Sequence, residues 1–255
     1  MRVRILGCSG GIGGRDQRTT SFLVDEDILI DCGTGVGDLP LADLVRIDHL
    51  FITHAHLDHI ACLPLLIDTV CDVRSQPLIV HATEATIEAI RHHIFNWTIW
   101  PDFSEIPQAH APYLRYQTIH VGETVELDSR RITALPASHT VPAVGYHLDS
   151  GSASLAYTGD TGPCPELWAA INKIGNLRHL IVETAFSNSE QQRAVLSRHL
   201  CPSMLAGELA LLERSADIFI THLKPGQSDL TMWEVEAAVG DLKPRMLRND
   251  QVFEF

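Results

Sequence analysis

Residues 49–59 run His-Leu-Phe-Ile-Thr-His-Ala-His-Leu-Asp-His. The first five form a short, mostly apolar run that breaks off at His54. A run of this kind predicts a buried α/β strand that presents reactive groups at its C-terminal edge. The six residues that follow put three imidazoles and one carboxylate, His54, His56, Asp58 and His59, into one loop. Imidazole suits zinc and several other first-row ions, and a carboxylate adds charge and can bridge or orient water. Two loop residues spaced like His54 and His56 can converge on one ion, while Asp58 and His59 turn to a second. A single histidine after a strand is ordinarily structural or solvated. Four donors in six residues are poorly explained that way.

Two ions need more donors, because catalytic zinc sites usually keep three protein ligands and an open position. Working outward, three candidates each follow a predicted strand. His139 lies in PASHTVPAVGYHL after 130–136, Asp160 in AYTGDTG after 153–157, and His222 in FITHLKPG after 216–220. Taken singly, each could be a turn residue. As a set they complete the donor count.

The other elements follow from pattern and punctuation. Strands are expected at 2–7, 21–25, 27–31, 77–80, 114–119, 124–127, 143–149 and 178–182, with a last one after Met246. Helices are expected at 60–71, with Pro64 in the first turn, at 83–93 with Thr83 as N-cap, from Pro163 to about residue 173, and at 202–214 and 231–239. Residues 94–112 read as irregular and are rich in aromatics and prolines. This order predicts two sheets face to face with helices outside, in one α/β (α+β) domain over 1–255. No composition break marks a boundary.

Composition excludes some classes. With 19 Lys and Arg against 32 Asp and Glu, the formal net charge is -13, which disfavours a long nucleic acid as the main ligand. It leaves room for a small phosphate ester in a metal-lined pocket. The six cysteines, at positions 8, 32, 62, 71, 164 and 201, form no C-x-x-C pair, as expected of buried thiols in a reduced, cytoplasmic protein. No membrane span or signal peptide is visible. His49, His81, His92, His93, His110, His120, His147 and His179 lack donor context and read as structural or solvated. The glycines of 7–14 do not fit a phosphate-binding loop.

The hexapeptide HAHLDH resembles the H-x-H-x-D-H signature of the metallo-β-lactamase superfamily, and the resemblance covers nearly the whole chain. It implies a four-layer αββα sandwich, and a close-packing role near the site for the glycine-rich turn 7–14. It assigns His54, His56 and His139 to one metal, Asp58, His59 and His222 to the other, and Asp160 as the bridge. Two divalent ions are implied, with zinc the default and manganese or iron compatible with mixed donors. THAHLDHIACLPLL, the early GCSGGIGG…SFLVD…ILIDCGTG pattern and GYHL after His139 resemble the branch that holds ribonuclease Z and class II cyclic nucleotide phosphodiesterases. The ribonucleases usually carry a long transfer-RNA arm between the positions of His139 and Asp160, where this chain has only the 20 residues 140–159. HIFNWTIWPDF (93–103), HLCPSMLAGEL (199–209) and ITHLKP (220–225) are similar to phosphodiesterase motifs.

The resemblance therefore implies hydrolysis of 3′,5′-cyclic nucleotides to 5′-nucleotides, with transfer-RNA 3′-processing or a non-catalytic metal-binding relative as alternatives. Asp58 is expected to orient the attacking water and accept its proton. Glu183 in VETAF and His199 in SRHLCP match a pair used in this branch, in which the carboxylate holds an imidazolium that assists the leaving oxygen. Lys224 is either a phosphate contact or a solvated lysine. Phe95, Trp97, Trp100 and Phe103 either stack on a base or form a dimer contact or satellite core. A small phosphodiester substrate and a homodimer are expected, with no membrane partner.

Overall fold

A computed structural model describes all 255 residues. In chain order, strands β1 (Arg2–Gly7), β2 (Ser21–Val24) and β3 (Ile28–Ile30) precede helix α1 (Leu41–Leu44) and strand β4 (His49–Phe51). Helices α2 (Leu57–Ile60) and α3 (Leu63–Val70) lead to β5 (Leu78–Ala82) and α4 (Glu84–His93). A two-stranded ribbon, β6 (Pro107–Gln108) with β7 (Ala111–Pro112), comes before β8 (Leu114–Thr118). Strands β9 (Thr124–Leu127), β10 (Arg130–Pro136), β11 (Val144–Asp149) and β12 (Ser154–Tyr157) follow, then α5 (Pro165–Ile171) and β13 (Leu177–Glu183). The chain closes with α6 (Gln191–Ser197), α7 (Pro202–Leu209), β14 (Asp217–Thr221), α8 (Ser228–Val239), β15 (Arg245–Met246) and β16 (Val252–Glu254).

These strands make two seven-stranded sheets, ordered β16-β1-β2-β3-β4-β5-β8 and β15-β14-β13-β12-β11-β10-β9. Side chains alternate across each pleat. In β3, Ile28 and Ile30 face the second sheet, where they join Phe22, Phe51, Tyr146, Tyr157, Ile181 and Phe219 in the central core. Leu29, between them, faces the other way and packs with Leu50 against Leu63, Leu66 and Ile67 of α3 and Ile87 and Ile90 of α4. The outer face of the second sheet does the same, with Leu180, Val182 and Ile220 against Leu167 and Trp168 of α5, Leu205 of α7 and Val235 of α8. The result is the αββα sandwich expected from the strand order. Edge-on pairs, Phe22 with Tyr157 at 4.8 Å and Phe51 with Tyr146 at 5.6 Å, lock the sheets face to face. The Tyr146 hydroxyl also donates to the Ile52 carbonyl at 2.9 Å, and the Val144 N–H donates to the Thr53 carbonyl at 3.0 Å.

Strands β3, β4, β5 and β8 are mutually parallel, as are β12, β13, β14 and β15. Strand β10 runs in the direction of β12, since both are antiparallel to β11. Their C-terminal ends therefore emerge where the site forms, the usual place for ligands in α/β sheets.

Several expectations need correction. The helix expected at 60–71 runs only over Leu63–Val70, with Pro64 in its first turn, and a separate short helix Leu57–Ile60 precedes it across Ala61 and Cys62. Helix 202–214 stops at Leu209. Helices α1 and α6 were not expected, and the tail forms two strands on different sheets. Thr83 does cap α4, accepting from the Thr86 N–H at 3.3 Å. Phe95 and Phe103 lie in the core between the first sheet and its helices, so neither can stack on a base, and Trp100 packs partly against the same core. Trp97 remains exposed. All six cysteines are free, with only Cys62 not fully buried. No helix is long and apolar enough to cross a membrane.

Candidate metal centre

The strand ends deliver the predicted donors to one spot. His54 leaves the end of β4, and His56, Asp58 and His59 follow on the loop and first turn of α2. His139, Asp160 and His222 arrive beyond β10, β12 and β14. The chain must bend sharply to turn these groups inward. His222 adopts a left-handed backbone with φ of 63°. A non-glycine residue rarely pays that conformational cost without a packing or functional reason. Gly10 makes room for it, because a Cβ there would lie 2.4 Å from the His222 carbonyl oxygen and 2.9 Å from its ring. The close-packing role expected of the glycine loop is met at this contact.

All seven predicted donors converge, in two groups. Donor atoms of His54, His56 and His139 lie within 4.8 Å of one another, as do those of Asp58, His59, Asp160 and His222. His56 Nδ1 is 3.1 Å from both His54 Nε2 and His139 Nε2. Asp160 joins the groups, its Oδ2 standing 3.3 Å from His59 Nε2 and 3.7 Å from His54 Nε2, while its Oδ1 is 3.3 Å from His222 Nδ1. Three imidazole nitrogens this close repel through their lone pairs unless a proton or a cation lies among them. The separation resembles the edge of about 3.3 Å in a tetrahedron with zinc–nitrogen bonds of 2.0–2.1 Å.

Satisfaction of buried groups supports the same use. His59 Nε2, Asp160 Oδ1 and His222 Nδ1 are buried without a hydrogen-bond partner. Buried polar atoms ordinarily find one, and three unsatisfied atoms on residues of one donor group fit a cation there. Burial pulls His54 well below the ordinary imidazole range and brings His222 down to about 3 and His139 to about 4. These rings therefore stay neutral with lone pairs available. Burial works against ionisation of Asp160, but His222, His59 and His54 around it hold its carboxyl well below the usual range.

Glu183, at the end of β13, and His199 stand beside this cluster. His199 Nδ1 lies 2.8 Å from Glu183 Oε1, which also accepts from the Thr161 N–H at 3.1 Å. Oε2 accepts from the N–H groups of Ala185 and Leu200 at 3.1 and 3.4 Å. Burial lowers the His199 imidazole, but Glu183 and Asp160 outweigh it and leave the ring above its ordinary value. His199 comes nearer to the donors than expected, with a ligating atom within 4.8 Å of those of His139 and Asp160.

A model of the beta-lactamase superfamily domain matches residues 26–246, most of the chain and all seven donors with Glu183 and His199. The chain belongs to the beta-lactamase superfamily. Within it, a protein of Yersinia pestis named probable 3′,5′-cyclic-nucleotide phosphodiesterase is 26% identical over 88% of this chain and 78% of its own length. A ribonuclease Z of Haloarcula marismortui is 30% identical over 58% of this chain and 47% of its own length. Unliganded yeast PDE1 has the same fold, with a TM-score of 0.82 at 18% identity over 100% of this chain and 99% of its own.

Three residues of this superfamily member escaped the sequence reading. Asp31, buried at the end of β3, accepts from His59 Nδ1 at 2.7 Å and from the Thr53 N–H at 2.8 Å. The Thr53 hydroxyl reaches both Asp31 and His54. Arg198, left-handed at φ 50°, accepts from His139 Nδ1 at its carbonyl and donates from its guanidinium to the His139 carbonyl. Asp31 sits in the ILIDCGTG pattern, where a lone aspartate two residues before a glycine resembles a turn residue. Lys224 is half-buried, donates to the Gly10 carbonyl at 2.7 Å and lies 5.7 Å from the Phe186 ring centre.

Proposed function

We propose that this chain is a dinuclear metal-dependent phosphodiesterase that opens 3′,5′-cyclic nucleotides to 5′-nucleotides. The reading rests on one observation: seven donor side chains from both sheets meet in two groups that share Asp160. In this reading His54, His56 and His139 hold one ion, Asp58, His59 and His222 hold the other, and Asp160 serves both. Zinc suits such nitrogen and oxygen donors, and manganese or iron is compatible with the mixed set. Bound ions would supply Lewis-acid polarisation of the phosphoryl oxygens and a water of lowered pKa.

The chain's own groups then divide the proton work. Asp58, with a side chain 30% exposed beside buried His59 and His222, orients the attacking water and takes up its proton. His199, held by Glu183 and raised above its ordinary value, protonates the departing 3′ oxygen. The rings of His54, His59, His139 and His222 are buried, and burial strengthens each of their electrostatic interactions.

The cyclic nucleotide is favoured over transfer RNA on three grounds. The phosphodiesterase relative is 26% identical over 88% of this chain, whereas a ribonuclease Z of Methanosarcina acetivorans that spans 100% of it is 21% identical. A plain hairpin of β11 and β12 occupies the segment between His139 and Asp160. A net charge of -13 also opposes a polyanion. The test couples metal analysis of purified protein to side-by-side turnover of cyclic AMP, an aryl phosphodiester and a precursor transfer RNA. Chelator-sensitive turnover of cyclic AMP is expected. Two bound metals with activity on none of the three would move the assignment to another ester class, and cleavage of the transfer RNA alone would favour the endonuclease.

A further inference from the structure

The two donor groups share more than Asp160. Behind them, on the side away from the site, lies Thr53, which is fully buried. Its hydroxyl oxygen is 2.9 and 3.0 Å from the two Asp31 oxygens, 3.0 Å from His54 Nδ1 and 3.3 Å from His59 Nδ1. The same carboxylate lies 2.7 Å from His59 Nδ1. A hydroxyl has one proton to give and lone pairs to accept with, whereas an ionised carboxylate only accepts. With Asp31 ionised and both rings neutral, the pattern has one consistent solution. The Thr53 hydroxyl donates to Asp31 and accepts from His54 Nδ1–H, while His59 Nδ1–H donates directly to Asp31. Both rings are left with a bare Nε2 turned toward the donor groups, and His59 Nε2 is indeed without a hydrogen-bond partner.

We propose that Thr53 is a positioning residue that extends the hold of Asp31 from His59, in one metal group, to His54, in the other, so that one buried carboxylate sets the bare nitrogen in both. The proposal rests on the two-metal reading above. Removing the hydroxyl should free only His54, because His59 keeps its direct bond. Removing the carboxylate should loosen both. Partners of this kind typically change metal affinity by about 10–100-fold.

The test titrates metal-free protein with zinc in a calorimeter, with melting temperature as a folding control, and records imidazole nitrogen NMR of the metal-free protein. Wild type should take up two equivalents and show His54 protonated at Nδ1. Thr53→Val should keep one equivalent at wild-type affinity, weaken the other by about 10–100-fold, and shift the His54 proton toward Nε2. Thr53→Ser should restore both, and Asp31→Asn should weaken both. If Thr53→Val fails to fold, Thr53→Ala against Thr53→Ser makes the same comparison. Unchanged affinities with an unchanged His54 proton would overturn the proposal, as would equal weakening of both sites without rescue by serine. Wild type that binds no zinc would instead sink the two-metal reading, and the NMR comparison would still decide whether Thr53 orients His54.

Discussion

Four candidate donors leave the first sheet from one strand end, within six residues. From the second sheet, His139, Asp160, Glu183 and His222 each arrive from a different strand. The first arrangement is local, and a single loop conformation sets it. The second depends on strand register, since a shift of β12 against β13 would carry Asp160 away from Glu183 and His199. Half of this site is thus encoded by neighbours in the chain and half by neighbours in the fold. Substitutions on the two sides can test how far that division reaches.

The largest effect should come from Asp160, where the two sides meet. Asp160→Ala is expected to remove at least one metal and to lower turnover by more than about 100-fold, beyond the range seen for residues that only support ligands. Metal analysis and kinetics on the same preparation check this, and full occupancy with full turnover would break the shared role. His199→Ala should lower kcat by about 10²–10⁴-fold while leaving the metal content intact. Because a ligating atom of His199 lies within 4.8 Å of those of His139 and Asp160, metal loss in this variant would reassign it as a ligand.

A third prediction concerns the first sheet alone. His81 is buried beside His49, with 3.0 Å between His49 Nδ1 and His81 Nε2, and stacks on Phe51 at 4.2 Å. Burial, with His49 adding to it, brings His81 down to about 3. The unfolded chain would protonate this ring near pH 6.5 while the folded chain resists, so its contribution to stability is full above about pH 6.5. That contribution falls as the pH drops toward 3. Melting temperatures across this window should decline less steeply for His81→Phe than for wild type, and identical slopes would remove His81 as the cause. The smallest effect should come from the join between the sheets. Tyr146→Phe removes the bond to the Ile52 carbonyl and should cost about 1–2 kcal/mol in denaturant unfolding.

Legibility in the sequence followed the same division. The HAHLDH loop declared itself because its donors are contiguous, and His139, Asp160 and His222 could be chosen because each follows a β-rich run. The sandwich was legible because hydrophobic runs and turn residues alternate clearly. Asp31 and Thr53 were not legible, since a buried aspartate and threonine look like ordinary strand-end residues until His54 and His59 fold over them. Helix α6 was missed because its sequence, QQRAVLS, has no apolar stripe to bury, and Val195 and Leu196 point to solvent. Phe95 and Phe103 were open to two readings, because sequence gives the aromatic content of 93–103 but not which rings reach the core.

Glu183 carries a final consequence. Its two oxygens receive four N–H groups, three from the backbone and one from His199. A carboxylate so fully engaged has no free lone pair with which to shuttle protons and no freedom to swing. It acts as a fixed anchor, so if His199 is the acid of the proposed reaction, its proton must be replenished from the other face of the ring rather than through Glu183.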